Sequence, residues 1–512
     1  MFTKVLASSL LGINGHIISV EADITGSSVS SFYLVGLADT AVRESKERIF
    51  SAIINSSYSL PKGKTTINLA PADVKKEGTV FDLSIALAIL CANSQIYFKE
   101  NIDEYIILGE LSLNGDISKV KGVLPMISCA YDQGYKKFII PKANIEEANL
   151  LGKGEIYAAE HLNQVINHLC TTDKQIPKQV FKDFSTKTVN YKTDMSDVKG
   201  QRLAKRTLEI AAAGMHNILM IGPPGSGKTM LAKRFPTILP DMSLDECLEV
   251  TKIYSVAGLL KNESDFVSER PFRSPHHTVS PVALIGGGQT PKPGEVSLSH
   301  RGVLFLDEFT EFPTTCLEVL RQPIEDKYVK VTRVNATIEY PSSFMLLASM
   351  NPCPCGYYGD DTHECTCSHG MIEKYLKKIS GPILDRIDII VQVNVENYDK
   401  LSNESQEETS KTIKDRIIKA REFQKQRMAN QNLDCFNSEL NVKQIDEYCK
   451  LGNLENEFMK SAFNRYHLSA RSYHRVIKLA RTIADLNSSE NITCTHLAEA
   501  IQYRGLDMKY FN

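Results

Sequence analysis

The sequence has no tryptophan, no low-complexity tract, no internal repeat and almost no net charge. The missing repeat excludes a solenoid. With 59 Lys+Arg against 61 Asp+Glu, the net charge of −2 gives no compositional support for a nucleic-acid partner. It does not exclude one, because lining a channel takes only a few basic side chains per subunit. No apolar run reaches the roughly 18 residues a membrane helix needs, so no membrane partner is expected. The N-terminus sets Lys4 before a short apolar stretch and resembles a secretion signal. Gly12, Asn14 and His16 interrupt that stretch, and alternation through His16–Ala22 reads as a strand. A cytoplasmic protein is expected. Of 12 cysteines, four crowd into Cys353–Cys367 and the rest are scattered, unlike a secreted disulfide framework.

What is present suits a soluble globular chain: 512 residues, 42% hydrophobic and 23% charged, enough for roughly two to four domains. Residues 1–170 alternate strand-like runs (Ile17–Ile24, Thr65–Leu69, Tyr105–Leu108, Lys137–Ile140) with helical ones (Ala41–Asn55, Leu83–Asn93). Residues 171–195 turn polar and Lys/Thr-rich and read as a linker. Residues 196–395 form an α/β unit: helix 199–213, strand 217–221, a Gly-rich turn, helix 228–234, and strands at 303–306 and 344–348. Residues 396–512 show only helical periodicity, at 404–427, 441–450, 454–464, 471–486 and 494–502.

The Gly-rich turn is a phosphate-binding loop of the pattern G-x-x-x-x-G-K-[ST]: Gly222, Pro223, Pro224, Gly225, Ser226, Gly227, Lys228 and Thr229. Its glycines let backbone N–H groups wrap phosphates, and the helix that follows adds its positive end. Lys228 would reach the β- and γ-phosphates of ATP, and the Thr229 hydroxyl would ligate Mg²⁺. The strand Val303–Leu306 then delivers two adjacent carboxylates at its C-terminal end. Asp307 would hold Mg²⁺, and Glu308 would polarise the attacking water. Asn351, a polar amide at the end of the next strand, would orient that water.

Arg386, in the run Gly381–Asp388, would stabilise transferring phosphoryl charge on a neighbouring subunit. That role implies a homo-oligomeric ring, expected to be a hexamer; the competing reading is a salt bridge to Asp385 or Asp388. Arg471, at the start of a C-terminal helix, would contact nucleotide, with Arg475 as its rival one turn on. Cys353, Cys355, Cys365 and Cys367 form two C-x-C pairs separated by nine residues, with His363 and His369 nearby. Four thiolates can enclose a structural Zn²⁺; the alternative is a Gly/Pro-rich loop with free thiols. The stretches 271–278 and 286–294 read as exposed turns whose Arg273, His276, His277 and Lys292 would grip nucleic-acid phosphates.

The order phosphate loop, LFLDE, SMNPCPCGYYGD, SGPILDRIDI and LSARSYHRVIKLARTIADL resembles the magnesium-chelatase-like AAA+ ATPases, and within them the bacterial ComM/YifB competence-related group. The stretches RPFRSPHHTVSPVALIGGGQTPKPGEVSLSHRGVLFLDEF, VGLADTAVRESKERI and INLAPADVKKEGTVFDLSIALAIL extend the resemblance across essentially the whole chain. Ala38 departs from it, where the group carries Pro in a GLPD-like turn. The resemblance implies an AAA+ P-loop ATPase core with a C-terminal helical lid, behind an α+β N-terminal domain similar to Lon proteases. It also implies ATP-dependent DNA branch migration and helicase activity on single-stranded or branched DNA in natural transformation. A second reading is a chelatase-type motor subunit that remodels a protein partner; the N-terminal domain and the cysteine loop favour the first. Protease activity is not expected. Alignment to the Lon motifs puts Val80 at the Ser position and Leu124 near the Lys position, and neither Ser84 nor Lys119 has the required offset.

Overall fold

The computed structural model describes residues 2–511 apart from 27–29, 38, 40–41, 43, 73–75, 77, 181–190, 261–265, 289–290, 334–335, 361–362, 397–406, 429–434, 467 and 505–509. Ala38, residues 181–190 of the expected linker and residues 397–406 thus lie outside the described residues.

The chain opens with strand β1 (Phe2–Leu11), which sequence reading missed, and β2 (Asn14–Thr25), an antiparallel pair in which Val5 faces Val20. With β3 (Ser31–Val35) and β4 (Lys64–Ala70) they form a sheet in the order β1-β2-β4-β3. The helix Asp82–Ala92 (DLSIALAILCA) is apolar on every side and buried almost throughout, as a helix enclosed by its surroundings must be. A parallel sheet of β5 (Tyr105–Ile107), β6 (Lys137–Pro141) and β7 (Glu155–Ala159) completes this part. The first residues of the expected linker do not run free. Lys178 bridges to Tyr157, its ammonium lies 2.9 Å from Glu155, and Ile176 joins the N-terminal core.

The central sheet holds the α/β unit. Its strands are β8 (Ile218–Ile221), β9 (Phe272–Arg273), β10 (Val303–Leu306), β13 (Met345–Met350) and β14 (Ile389–Gln392), with the hairpin β11 (Tyr328–Arg333) and β12 (Ala336–Pro341) between. Their order is β9-β10-β13-β8-β14, all pairs parallel. A parallel sheet is covered on both faces, and β8, β10 and β13 are buried at every residue. Alternation divides them. Ile218, Met220, Val303, Phe305, Met345 and Leu347 join one core with Ile413, Ile417, Leu479 and Ile483 of the C-terminal helices. Leu219, Ile221, Leu304, Leu306, Leu346 and Ala348 join the other, with Cys353, Tyr375 and the β11–β12 hairpin.

From residue 410 on, the described elements are helical, chiefly Ser410–Met428, Val442–Tyr448, Asn453–Arg465, Ala470–Leu486 and Cys494–Gln502. No described helix is long and apolar enough to cross a membrane. The helical layer is locked by a buried polar knot. Asp485 accepts from Arg481 Nε at 3.0 Å, from Asn437 Nδ2 at 2.8 Å and from Arg427, and its side chain is fully enclosed. Asp485→Ala would leave two guanidinium groups without their carboxylate, so a loss of about 3–5 kcal/mol is expected. Urea unfolding followed by far-ultraviolet circular dichroism should show it, with Asp485→Asn losing less.

Candidate functional site

The chain leaves β8 at Ile221 and enters the helix Lys228–Ile238 through Gly222–Gly227. Gly222 has no room for a side chain, since a Cβ there would lie 2.1 Å from the Val393 carbonyl oxygen. Gly225 and Gly227 take left-handed backbone, at φ +76° and +89°. Pro223 is buried, Pro224 and Gly225 are exposed, and Ser226 is buried beneath them. The free N–H groups of the helix's first turn open into this loop. The Lys228 ammonium lies 2.8 Å from the carbonyl oxygens of Gly222 and Pro223, and 3.3 Å from Asn351 Oδ1. Burial pushes it down to about 8, while the Asp307 carboxylate opposes the shift.

Strand register brings the other groups here. Leu306 pairs with Ala348, so Asp307 emerges beside Ser349; Ile221 pairs with Met350, so Gly222 emerges beside Asn351. The Thr229 hydroxyl donates to Asp307 Oδ2 at 2.7 Å, and Ser349 donates to the other carboxylate oxygen. A hydroxyl and a carboxylate converging at the foot of a phosphate loop are the hard oxygen donors that suit Mg²⁺. Glu308 is exposed and sits at φ +52°, a left-handed conformation that costs a non-glycine residue about 1–2 kcal/mol. Its Oε2 lies 3.3 Å from His277 Nδ1, and the His277 ring is tilted against that of His276 with centroids 4.0 Å apart.

Sequence reading missed Ser349 and the contact of His277 with Glu308. The stretch 271–278 begins with the edge strand β9, and His277 lies in the turn that follows it, half-buried, with His276 exposed beside it. Arg273 is not a free cation, for Glu295 takes it at 2.6 and 2.8 Å. In the stretch 286–294, Gly286–Gly287 pairs with Lys292–Pro293, and the Lys292 side chain is exposed.

The arginines lie elsewhere. Asn217, just before β8, donates Nδ2 to the Arg386 carbonyl at 2.9 Å, and its N–H to Asp388 at 3.0 Å. Arg386 is therefore at the N-terminal edge of the sheet, while the phosphate loop leaves the C-terminal edge. Four residues of strand separate them, on the order of 13 Å. The Arg386 guanidinium pairs with Glu325 at 2.7 Å, not with Asp385 or Asp388, and bonds the carbonyls of Arg321 and Pro382 at 3.2 and 2.6 Å. Arg471 shares that carboxylate at 2.5 Å and lies 3.5 Å from Asp385. Among the described contacts neither Arg386 nor Arg471 touches the phosphate loop of its own chain. Arg475 is mostly buried, 3.8 Å from Asp388 and 3.3 Å from the Ile387 carbonyl, a position that braces the edge.

Beyond Asn351 the chain enters the cysteine loop. The Sγ atoms of Cys353, Cys355, Cys365 and Cys367 all lie within 4.8 Å of one another. His363 stacks on Tyr357 and is not part of that cluster, nor is His369. In the N-terminal part, Ser84 is buried in its helix and donates to the Ile107 carbonyl at 2.7 Å, which leaves its hydroxyl no access to a substrate.

The Lys228 environment sets a pH dependence. A bound polyphosphate favours the ammonium, so above about pH 8 binding must take up a proton. Affinity for a nucleoside triphosphate should be level below that value and fall above it, approaching about tenfold per pH unit. Fluorescence titration across this range should show the fall, and Lys228→Arg, always charged, should lack it.

Residues 194–401 match the family described as magnesium chelatase, subunit ChlI; residues 20–144 match subunit ChlI of Mg-chelatase, and residues 407–504 its C-terminal part. Competence protein ComM of Haemophilus influenzae is 40% identical over 510 residues, covering 98% of this chain and 97% of that protein. YifB of Escherichia coli is 41% identical over 499 residues, covering 97% and 96%. An archaeal Lon protease of Thermococcus kodakarensis is 34% identical over 94 residues, 18% of this chain and 14% of the protease. The chain belongs to the ComM/YifB-type magnesium-chelatase-like proteins, built on an AAA+ ATPase core.

Proposed function

We propose that the protein is an ATP-dependent DNA motor, a hexameric ring that drives branch migration or strand separation when DNA is recombined in natural transformation. The observation that carries the ring is the separation of the phosphate loop from Arg386 and Arg471, which occupy opposite edges of one sheet. An arginine there acts only on the nucleotide of a neighbouring subunit. The DNA substrate rests on the full-length likeness to a competence protein. In this reading residues 1–170 are a noncatalytic Lon-like domain, 171–195 a linker, 196–395 the ATPase core and 396–512 the lid.

ATP would supply the phosphoanhydride bond, and Mg²⁺, when bound, would neutralise charge on its phosphates. The residues do the rest. Gly222–Gly227 present backbone N–H groups and Lys228 its ammonium, which together bind the polyphosphate. Thr229 and Asp307 would hold the metal, with Ser349 fixing the Asp307 carboxylate. Glu308 accepts the proton of the attacking water, and Asn351 orients that water. His277, against Glu308, holds the carboxylate in place from the β9 side. Arg386 and Arg471, aligned on Glu325, offer positive charge across the subunit boundary. Cys353, Cys355, Cys365 and Cys367 would hold a structural zinc ion.

Lys228→Ala should abolish tight ATP binding, whereas Glu308→Gln should bind ATP and stop turning over; full turnover in the latter would refute its role. Arg386→Ala should lower turnover by about 10³-fold or more. Mixing Arg386→Ala with Lys228→Ala subunits should restore some activity, since mixed rings contain intact interfaces. Light scattering should show a hexamer, and full activity in a monomer would contradict the ring. ATP-dependent displacement on forked and four-way-junction DNA tests the substrate; a purified ATPase inert on both would overturn it.

A further inference from the structure

The sulfur cluster lies against the phosphate loop, and two contacts join them. Asn351, two residues before Cys353, sets its Oδ1 3.3 Å from the Lys228 ammonium. Gly356, next to Cys355, presses on Pro224 so closely that a Cβ would lie 2.6 Å from the proline Cδ. On the other side, Cys353 shares a core with Tyr375, whose hydroxyl accepts from Thr310 at 2.6 Å, two residues beyond Glu308. One short loop therefore touches the phosphate loop and braces the strand end that carries Asp307 and Glu308.

We infer that Cys353, Cys355, Cys365 and Cys367 hold one zinc ion, and that its occupancy, by fastening this loop onto Pro224 and Lys228, sets how tightly the protein binds nucleotide, given that Gly222–Thr229 is the nucleotide site. The sulfur geometry fits a single tetrahedral ion. Cys353–Cys365 and Cys355–Cys365 are 3.7 and 3.6 Å apart, and Cys353–Cys355 is 3.2 Å. A tetrahedron with zinc–sulfur bonds of about 2.3 Å has edges of about 3.8 Å. A disulfide needs about 2.05 Å, so none of these pairs is bonded. A four-iron cluster, with a cage of iron and sulfide inside its thiolates, spreads them wider than 4.8 Å. The Cys355 N–H also donates to Cys367 Sγ at 3.4 Å, a hydrogen bond that stabilises a metal-bound thiolate. Four sulfurs close the coordination sphere, so the ion is structural and leaves no position for catalysis. Its effect on nucleotide passes through the chain: Asn351 stands just before Cys353, and the Gly356 turn directly follows Cys355. Without the ion, nothing ties the two C-x-C pairs together, and both contacts lose their anchor.

The test uses the full-length protein. Elemental analysis should find one zinc per chain, absent from Cys355→Ser and Cys367→Ser. Cobalt(II) exchanged into the site should give the visible spectrum of a tetrahedral thiolate complex. Affinity for a fluorescent ATP analogue should fall about ten- to hundredfold in the cysteine variants. Because misfolding of a cysteine variant would also lower affinity, Pro224→Ala supplies the second arm: it should keep its zinc, bind nucleotide more weakly, and lose less on the further change Cys367→Ser than the unaltered protein does. Iron in place of zinc, no metal, or metal lost with nucleotide affinity unchanged would each overturn the inference. If the unaltered protein holds zinc yet binds no ATP analogue, the coupling fails together with the nucleotide reading, while the metal site stands.

Discussion

The parallel pairing of Ile218–Ile221 with Met345–Met350 on one side and Ile389–Gln392 on the other is the constraint from which the remaining arrangement follows. Because β8 lies between strands that come later in the chain, its C-terminal end opens where the strand order reverses, the usual crevice for ligands in such sheets. Gly222, Asp307 and Asn351 all emerge there, each one step beyond a paired strand residue. A slip of one residue along any of these strands would turn its side chains to the other face and break the convergence.

The same pairing fixes the opposite edge. Asn217 is bonded to both Arg386 and Asp388, and Asp388 lies near His216 and Arg475. The desolvation of Asp388 is outweighed by His216 and Arg475, which hold its carboxyl down at about 2. This buried charge ties the base of the sheet to the helix Ala470–Leu486, whose first turn carries Arg471 to Glu325. Two edges with different chemistry, one opening on the Gly222–Thr229 loop and one carrying arginines paired with carboxylates, are thus held at a fixed separation by a few strand residues.

The elements closest to the site were legible because their signals are local. Val303–Leu306 was read at its observed limits, and the helix after the phosphate loop was read correctly in kind though it runs on to Ile238. The strand read as ending at Ala348 continues to Met350, since its pairing with Ile221 holds it extended up to Asn351. The hairpin Tyr328–Pro341 and the two-residue strand Phe272–Arg273 gave little periodicity, and only pairing with neighbours defines them. The start of the expected linker was misjudged because its polar composition hides a single buried anchor, Ile176, and an edge bridge at Lys178.

By itself the sequence determined which chemistries are available. A phosphate loop needs glycines at set spacings before a Lys and a hydroxyl, the paired carboxylates follow an apolar strand, and the C-x-C pairs are two short strings. Each is a local demand on neighbouring residues, so each is written in the order of the chain. Only the tertiary structure decided what those groups meet: Ser349 on Asp307, His277 on Glu308, Glu325 between Arg386 and Arg471, and Gly356 on Pro224. These contacts join residues far apart in the chain, and strand order and register, set by the packing of both sheet faces, bring them together.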